Sequence, residues 1–76
     1  MELKEFIEKF AEQFDDTSVE LFAADTKFHE LDEWTSLVAL AVIAMVDEEY
    51  EVTIKGDDIK NSQTIEDLFN KVQSKL

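Results

Sequence analysis

Cysteine and proline are both absent from these 76 residues, and glycine and histidine occur once each, as Gly56 and His29. Without cysteine there is no disulfide framework, no thiolate nucleophile and no thiolate-bound zinc. A single imidazole excludes a multi-histidine metal site, and any Ser-His-Asp arrangement has to use His29 as its base. That is thin material for an enzyme. Cationic side chains are scarce too: seven Lys and Arg face nineteen Asp and Glu, for a net charge of −12. Such a field repels a nucleic-acid backbone or an anionic membrane surface, and its natural complement is a basic patch on another protein. Long apolar runs are also missing. The longest, Leu37 to Val46, has ten residues, too few to span a bilayer. Met1 to Phe14 alternates acids with aromatics and has neither the basic nor the apolar region of a secretory signal. The expectation is one small soluble, cytoplasmic domain over residues 1–76, with no membrane insertion.

Much of what remains is helical pattern. Leu3, Phe6, Ile7, Phe10, Ala11 and Phe14 fall at i, i+3, i+4, i+7, i+8 and i+11, one apolar stripe with acids and lysines on the other faces. This predicts a first helix over about residues 2–15. Asp15-Asp16-Thr17-Ser18 then favours a stop, because these side chains bond their own backbone. Up to Thr35 the large apolars Val19, Leu21, Phe22, Phe28, Leu31 and Trp34 show no sustained period. Six of them are too many for a solvated linker, so we read a long loop pinned to the core, with a helical turn inside it. Phe28 and Trp34 are its expected anchors, and His29 an exposed loop residue with no catalytic task.

Thr35-Ser36 supplies two good N-cap types ahead of Leu37 to Val46. Four β-branched residues there admit a buried strand, but three alanines and the length favour a second helix over 36–50. A helix apolar on every side is either central or presents an apolar face to a partner. Residues 51–54 look extended. Asp57 or Asp58 can cap a short third helix carrying Ile59, ended by Asn61-Ser62. Thr64, with Asp67 three residues on, starts the last helix, in which Ile65, Leu68, Phe69 and Val72 repeat the helical spacing. The fold class expected is therefore all-α, a four-helix bundle with a long first loop and a short third helix. Its central side chains are expected to be Phe6, Phe10, Ile43, Val46, Ile65, Leu68 and Phe69. The acids Asp47, Glu48, Glu49, Glu51, Asp57 and Asp58 read as a solvated face, and the Asp-x-Asp spacing of a calcium loop is absent.

At Phe28-x-x-Leu31-x-x-Trp34-Thr35-Ser36-Leu37 the sequence resembles the acyl carrier proteins. In that family an Asp-Ser-Leu motif opens the second helix. The resemblance covers nearly the whole chain: an amphipathic first helix, a long loop, Ser36 near the midpoint, acids closing helix two, the Val52-Thr53-Ile54 linker, and Thr64-Ile65-Glu66-Asp67-Leu68 opening the last helix. It implies that Ser36 carries 4′-phosphopantetheine, moved from coenzyme A by a phosphopantetheinyl transferase, and that the chain is no enzyme. It also implies partners that are acyl-transferring or synthase enzymes with basic docking surfaces, and a monomeric state. The pathway implied is fatty-acid, polyketide or related biosynthesis. An aminoacyl or peptidyl carrier, or an unmodified interaction module of the same fold, are the alternatives.

Two departures stand out. Thr35 replaces the family's aspartate, which caps a helix as well but removes a carboxylate that, by the resemblance, helps a transferase recognise its carrier. Val38 and Ala41 occupy the stretch where typical carriers place docking acids. The expected docking face is thus more apolar, with Leu37, Val38 and Ala41 at its centre and Thr35, Leu40, Asp47 and Glu48 belonging to it.

Overall fold

The computed structural model describes residues 2–76. Four helices follow one another along the chain: α1 (Leu3–Ala11), α2 (Ser36–Tyr50), α3 (Gly56–Lys60) and α4 (Ile65–Ser74), with no strand among the described residues. The all-α, four-helix expectation holds. α2 has the expected bounds, whereas α1 ends at Ala11, short of residue 15, and the chain continues through turns in which Gln13 and Phe14 N–H donate to the carbonyls of Phe10 and Ala11. Phe14 is buried all the same, so the apolar stripe runs past the helix that it started.

α1 and α2 lie antiparallel. The Phe6 ring sits 6.0 Å from that of Tyr50 at the end of α2, and the Phe14 ring lies 6.2 Å from that of Trp34 just before its start. α4 closes on α1 through Phe6 and Phe69, whose rings meet edge-on at 5.6 Å. Phe6, Phe10, Val46, Ile65 and Leu68 are fully buried and Phe69 nearly so, as the spacing requires; Ile43 is only half-buried, packed against the core from its edge.

Side chains take up N–H groups at the starts of α2, α3 and α4, whereas α1 has no side-chain cap. Thr64 Oγ1 accepts from Asp67 N–H at 3.1 Å while the Asp67 carboxylate accepts from Thr64 and Gln63 N–H, a reciprocal cap. The Thr64 N–H foremost, and then that of Gln63, holds the Asp67 carboxyl below its usual range. α3 begins at least two residues earlier than an aspartate cap at Asp57 or Asp58 would place it. Lys55 stands at the cap position, and Asp58 contributes from inside the helix by accepting the Lys55 N–H at 2.9 Å. α2 ends on Glu51 in the left-handed region, φ 56°, and its N–H donates to the Asp47 carbonyl. That conformation costs a non-glycine residue about 1–2 kcal/mol.

The long loop is built rather than slack. It contains two 3₁₀ turns, Val19–Leu21 and Phe28–Glu30. Its carbonyls at Ala24 and Thr26 accept the free N–H groups of Glu66 and Ile65 in the first turn of α4. Phe22 and Phe28 are buried, and Trp34 stacks at 7° on Phe10. Both expected anchors therefore do anchor.

Candidate functional site

The start of α2 is arranged by the residue before it. Thr35 adopts extended backbone, and its hydroxyl accepts the Val38 N–H at 3.3 Å while its carbonyl accepts that of Ala39. Thr35 is thus the cap, and Ser36 the first helical residue. A helix start has four N–H groups with no intrahelical partner one turn back. The Thr35 hydroxyl takes that of Val38, while those of Ser36 and Leu37 have no partner among the described residues and share the positive end of a fifteen-residue helix. The first turn carries no acidic side chain.

The four serines differ sharply in circumstance. Ser62 is fully buried and donates to the Asp58 carbonyl at 2.7 Å. Ser74 sits at the negative end of α4 and donates to the Lys71 carbonyl. Ser18 caps a 3₁₀ turn by accepting the Glu20 N–H. Ser36 alone is exposed at an α-helix N-terminus with a hydroxyl that makes no hydrogen bond among the described residues.

Just upstream, one carboxylate holds the loop together. Glu33 accepts from Asp15 N–H at 2.7 Å, Asp16 N–H at 3.0 Å and the Thr17 hydroxyl at 2.6 Å, joining the loop's first residues to its last. The Thr17 hydroxyl first, then the two N–H groups, lowers the Glu33 carboxyl from its usual range. A carboxyl depressed in the folded state stabilises that state above its unfolded pKa and loses this as pH falls through the folded one. We expect the Glu33 carbon resonance to titrate below the ordinary glutamate range. On acidification from about pH 5 to 3, the wild type should lose its stability advantage over Glu33→Gln; parallel stability curves for the two proteins would remove the clamp from the account.

The expected docking residues occupy different depths. Leu37 and Leu40 are the most exposed large side chains of α2, at 77% and 61%. Val38 is half-buried and packs on the core, so it supports this face from beneath. Ala41 is also half-buried and lines a depression between α1 and α2, together with Lys9, Glu12, Ala44 and Glu48. Asp47 and Glu48 are exposed at the far end of the helix. Leu37, Leu40, Ala41, Ala44 and Glu48 follow helical spacing, so the apolar ridge leads into the acids along one face.

His29 has a structural task that its position in a loop did not disclose. Its Nε2 lies 3.0 Å from the Ile59 carbonyl and 2.9 Å from that of Ser62, so an Nε2–H donates to the end of α3. Lys71 Nζ donates to the Asp58 carbonyl of the same short helix. Three side chains from outside or just beyond α3 thereby hold its C-terminal carbonyls. No group of three or more metal-ligating side chains is found among the described residues, and no helix is long and apolar enough to cross a membrane.

Against known families, the model for the phosphopantetheine attachment site matches residues 4–72. The chain belongs to that family, whose members hold 4′-phosphopantetheine covalently and are non-catalytic carriers serviced by transferases and synthases. No curated protein and no solved structure gave a match.

Proposed function

We propose that this protein is an acyl carrier whose Ser36 bears the phosphopantetheine arm and whose α2 face, from Leu37 to Glu48, docks the enzymes that load and unload it. The observation that carries this reading is the free, exposed Ser36 hydroxyl at the first position of α2. The residues present fit a phosphodiester there. Two unpartnered N–H groups and the helix dipole favour an anion at this end, and Thr35 adds no competing negative charge. The nearby Glu33 has its charge taken up by three donors. When bound, the arm supplies a terminal thiol that holds an acyl group as a thioester, so the chain itself needs no cysteine.

The protein's own part is to present and to position. Thr35 fixes the backbone so that the serine points away from the bundle, and Trp34 keeps that segment against Phe10 and Phe14. Leu37 and Leu40 offer a partner two side chains whose burial it can use, and the acids beyond steer a basic surface into register. Fatty-acid, polyketide or a related acyl pathway suits such a face.

The decisive test is chemical. Incubated with coenzyme A and a broad-specificity phosphopantetheinyl transferase, the wild type is expected to gain one phosphopantetheine by intact mass, and Ser36→Ala none. Absence of any gain with several transferases would leave an unmodified docking module instead. Hydroxylamine release and mass analysis of the native protein then identifies the cargo as acyl or aminoacyl.

A further inference from the structure

One segment of the long loop is held firmly yet buries nothing of its own. In the 3₁₀ turn Val19–Leu21 no side chain is buried, and Val19 and Leu21 stand 70% and 56% exposed. The backbone around them is tied down. Ser18 Oγ accepts the Glu20 N–H at 3.4 Å, and the Thr26 hydroxyl donates to the Leu21 carbonyl at 2.7 Å while accepting the Ala23 N–H at 2.8 Å. Glu33 secures the residues just before the turn. Two large apolar side chains are thus kept in water at a fixed place, as Leu37 and Leu40 are on α2.

A depression borders the turn on each side. On one, Val19 and Phe22 face the half-buried row Leu3, Ile7 and Ala11 of α1 across an open apolar groove of about 370 Å³. Along its α1 edge runs the exposed row Lys4, Glu8 and Glu12, at i, i+4 and i+8. On the other, Leu21 and Leu31 line a hollow together with Asp16, Asp32 and Glu33, and with no cation. An apolar centre therefore lies between two edges at which carboxylates outnumber Lys4, the one cation in either lining. The groove faces away from α2: Lys9, about 200° round the helix from Ile7, bonds Glu49 of α2 at 2.9 Å.

We infer that the groove and its turn dock a basic amphipathic helix of a partner protein, at an interface separate from the α2 ridge. The inference does not depend on Ser36 being modified. Shape and charge together select the occupant. Leu3 to Ala11 covers about 12 Å of helix, so apolar side chains at i, i+3, i+4 and i+7 of a partner helix can lie along it. Lysines or arginines flanking that stripe meet Glu8 and Glu12 on one edge and Asp16, Glu20 and Asp32 about the turn on the other. A second copy of this chain brings its own charge of −12 to the same edges and is repelled, as is an anionic membrane. A partner seated there leaves the α2 ridge uncovered, so one protein can retain the chain while another engages α2.

The test uses the unmodified full chain and a synthetic helical peptide with leucines at i, i+3, i+4 and i+7 and lysines elsewhere. A control peptide has glutamate at every lysine. Methyl NMR resonances of Leu3, Ile7, Ala11 and Val19 are expected to shift saturably with the lysine peptide and not with the control. The dissociation constant read at Ile7 is expected to stay within about twofold in the double variant Leu37→Ala and Leu40→Ala, and to rise about fivefold or more in Val19→Ser. Val19→Ser, at an exposed position, should keep the wild-type melting temperature. Glu8→Gln with Glu12→Gln is expected to flatten the salt dependence of binding. Shifts confined to Leu37 and Leu40 overturn the inference and assign basic helices to α2. Equal binding of the two peptides, or an unchanged dissociation constant in Val19→Ser, overturns it as well. So does an Ile7 resonance that moves with protein concentration alone, which makes the groove an interface between copies, or the absence of any shift.

Discussion

Replacing Phe10 by alanine is expected to leave the protein largely unfolded at 25 °C, with the cooperative melt seen by far-ultraviolet circular dichroism lost or displaced far downward. Phe10 is completely buried, and it is the ring that Phe6, Phe14, Phe22, Phe28 and Trp34 share. Truncating such a phenylalanine costs about 3–5 kcal/mol, through lost transfer energy and the cavity left behind. A single core in a chain of this size rarely supplies more than about 3–5 kcal/mol in all. The substitution therefore removes roughly the whole margin. Its damage also spreads, because three rings of the loop, Phe22, Phe28 and Trp34, all lean on this one. Phe10→Leu, which fills most of the space, should fold with a lowered midpoint. A Phe10→Ala protein that melts within a few degrees of wild type would contradict the packing described here.

The second large effect concerns recognition. The double variant Leu37→Ala and Leu40→Ala is expected to keep its melting temperature to within a few degrees, since both side chains stand mostly in water. Its kcat/KM for arm transfer by the transferase that modifies the wild type should fall by about 30-fold or more. Anchor residues that a partner fully desolvates lose more than 1 kcal/mol each on truncation, so two together reach about that factor. Alanine removes the anchors without adding charge, so the change does not mix with the steering effect of Asp47 and Glu48. If transfer proceeds at the wild-type rate, the ridge is not where the enzyme binds. A matched pair at the acids, Asp47→Asn and Glu48→Gln, should instead alter the salt dependence of the rate more than its limiting value.

The long, regular elements were legible in the residues because each states its period or its cap. Leu3 to Phe14 and Ile65 to Val72 repeat at helical spacing; Thr35 and Thr64 are side chains suited to close a helix start, and both do so. α2 has no stripe, yet its bounds followed from the cap and from the acids at its end. What escaped lies where the determining contact is distant in sequence. His29 meets the carbonyls of Ile59 and Ser62 some thirty residues away, and nothing local to it announces that. Glu33 looks like one acid among many until its three donors are seen. The left-handed end of α2 at Glu51 was hidden for another reason: the single glycine, the usual marker of such a turn, stands at the start of α3 instead. For the proposed site, position and motif pointed to Ser36, but the depth of each proposed docking residue needed coordinates. Val38 and Leu40 look alike in a sequence, and only one of them faces out.

Trp34 gives the proposed attachment point a mechanical character. The indole stacks against Phe10 and Phe14 two residues before Ser36, and the chain turns directly from that stack into α2. The serine thus stands on a stiff mount, with no hinge of its own between core and hydroxyl. Any sweep of the cargo between one enzyme and the next is then left to the rotatable bonds of the arm. The distance over which two partner sites can exchange a cargo without the carrier dissociating becomes a property of the prosthetic group, while the protein decides only the direction from which it sets out.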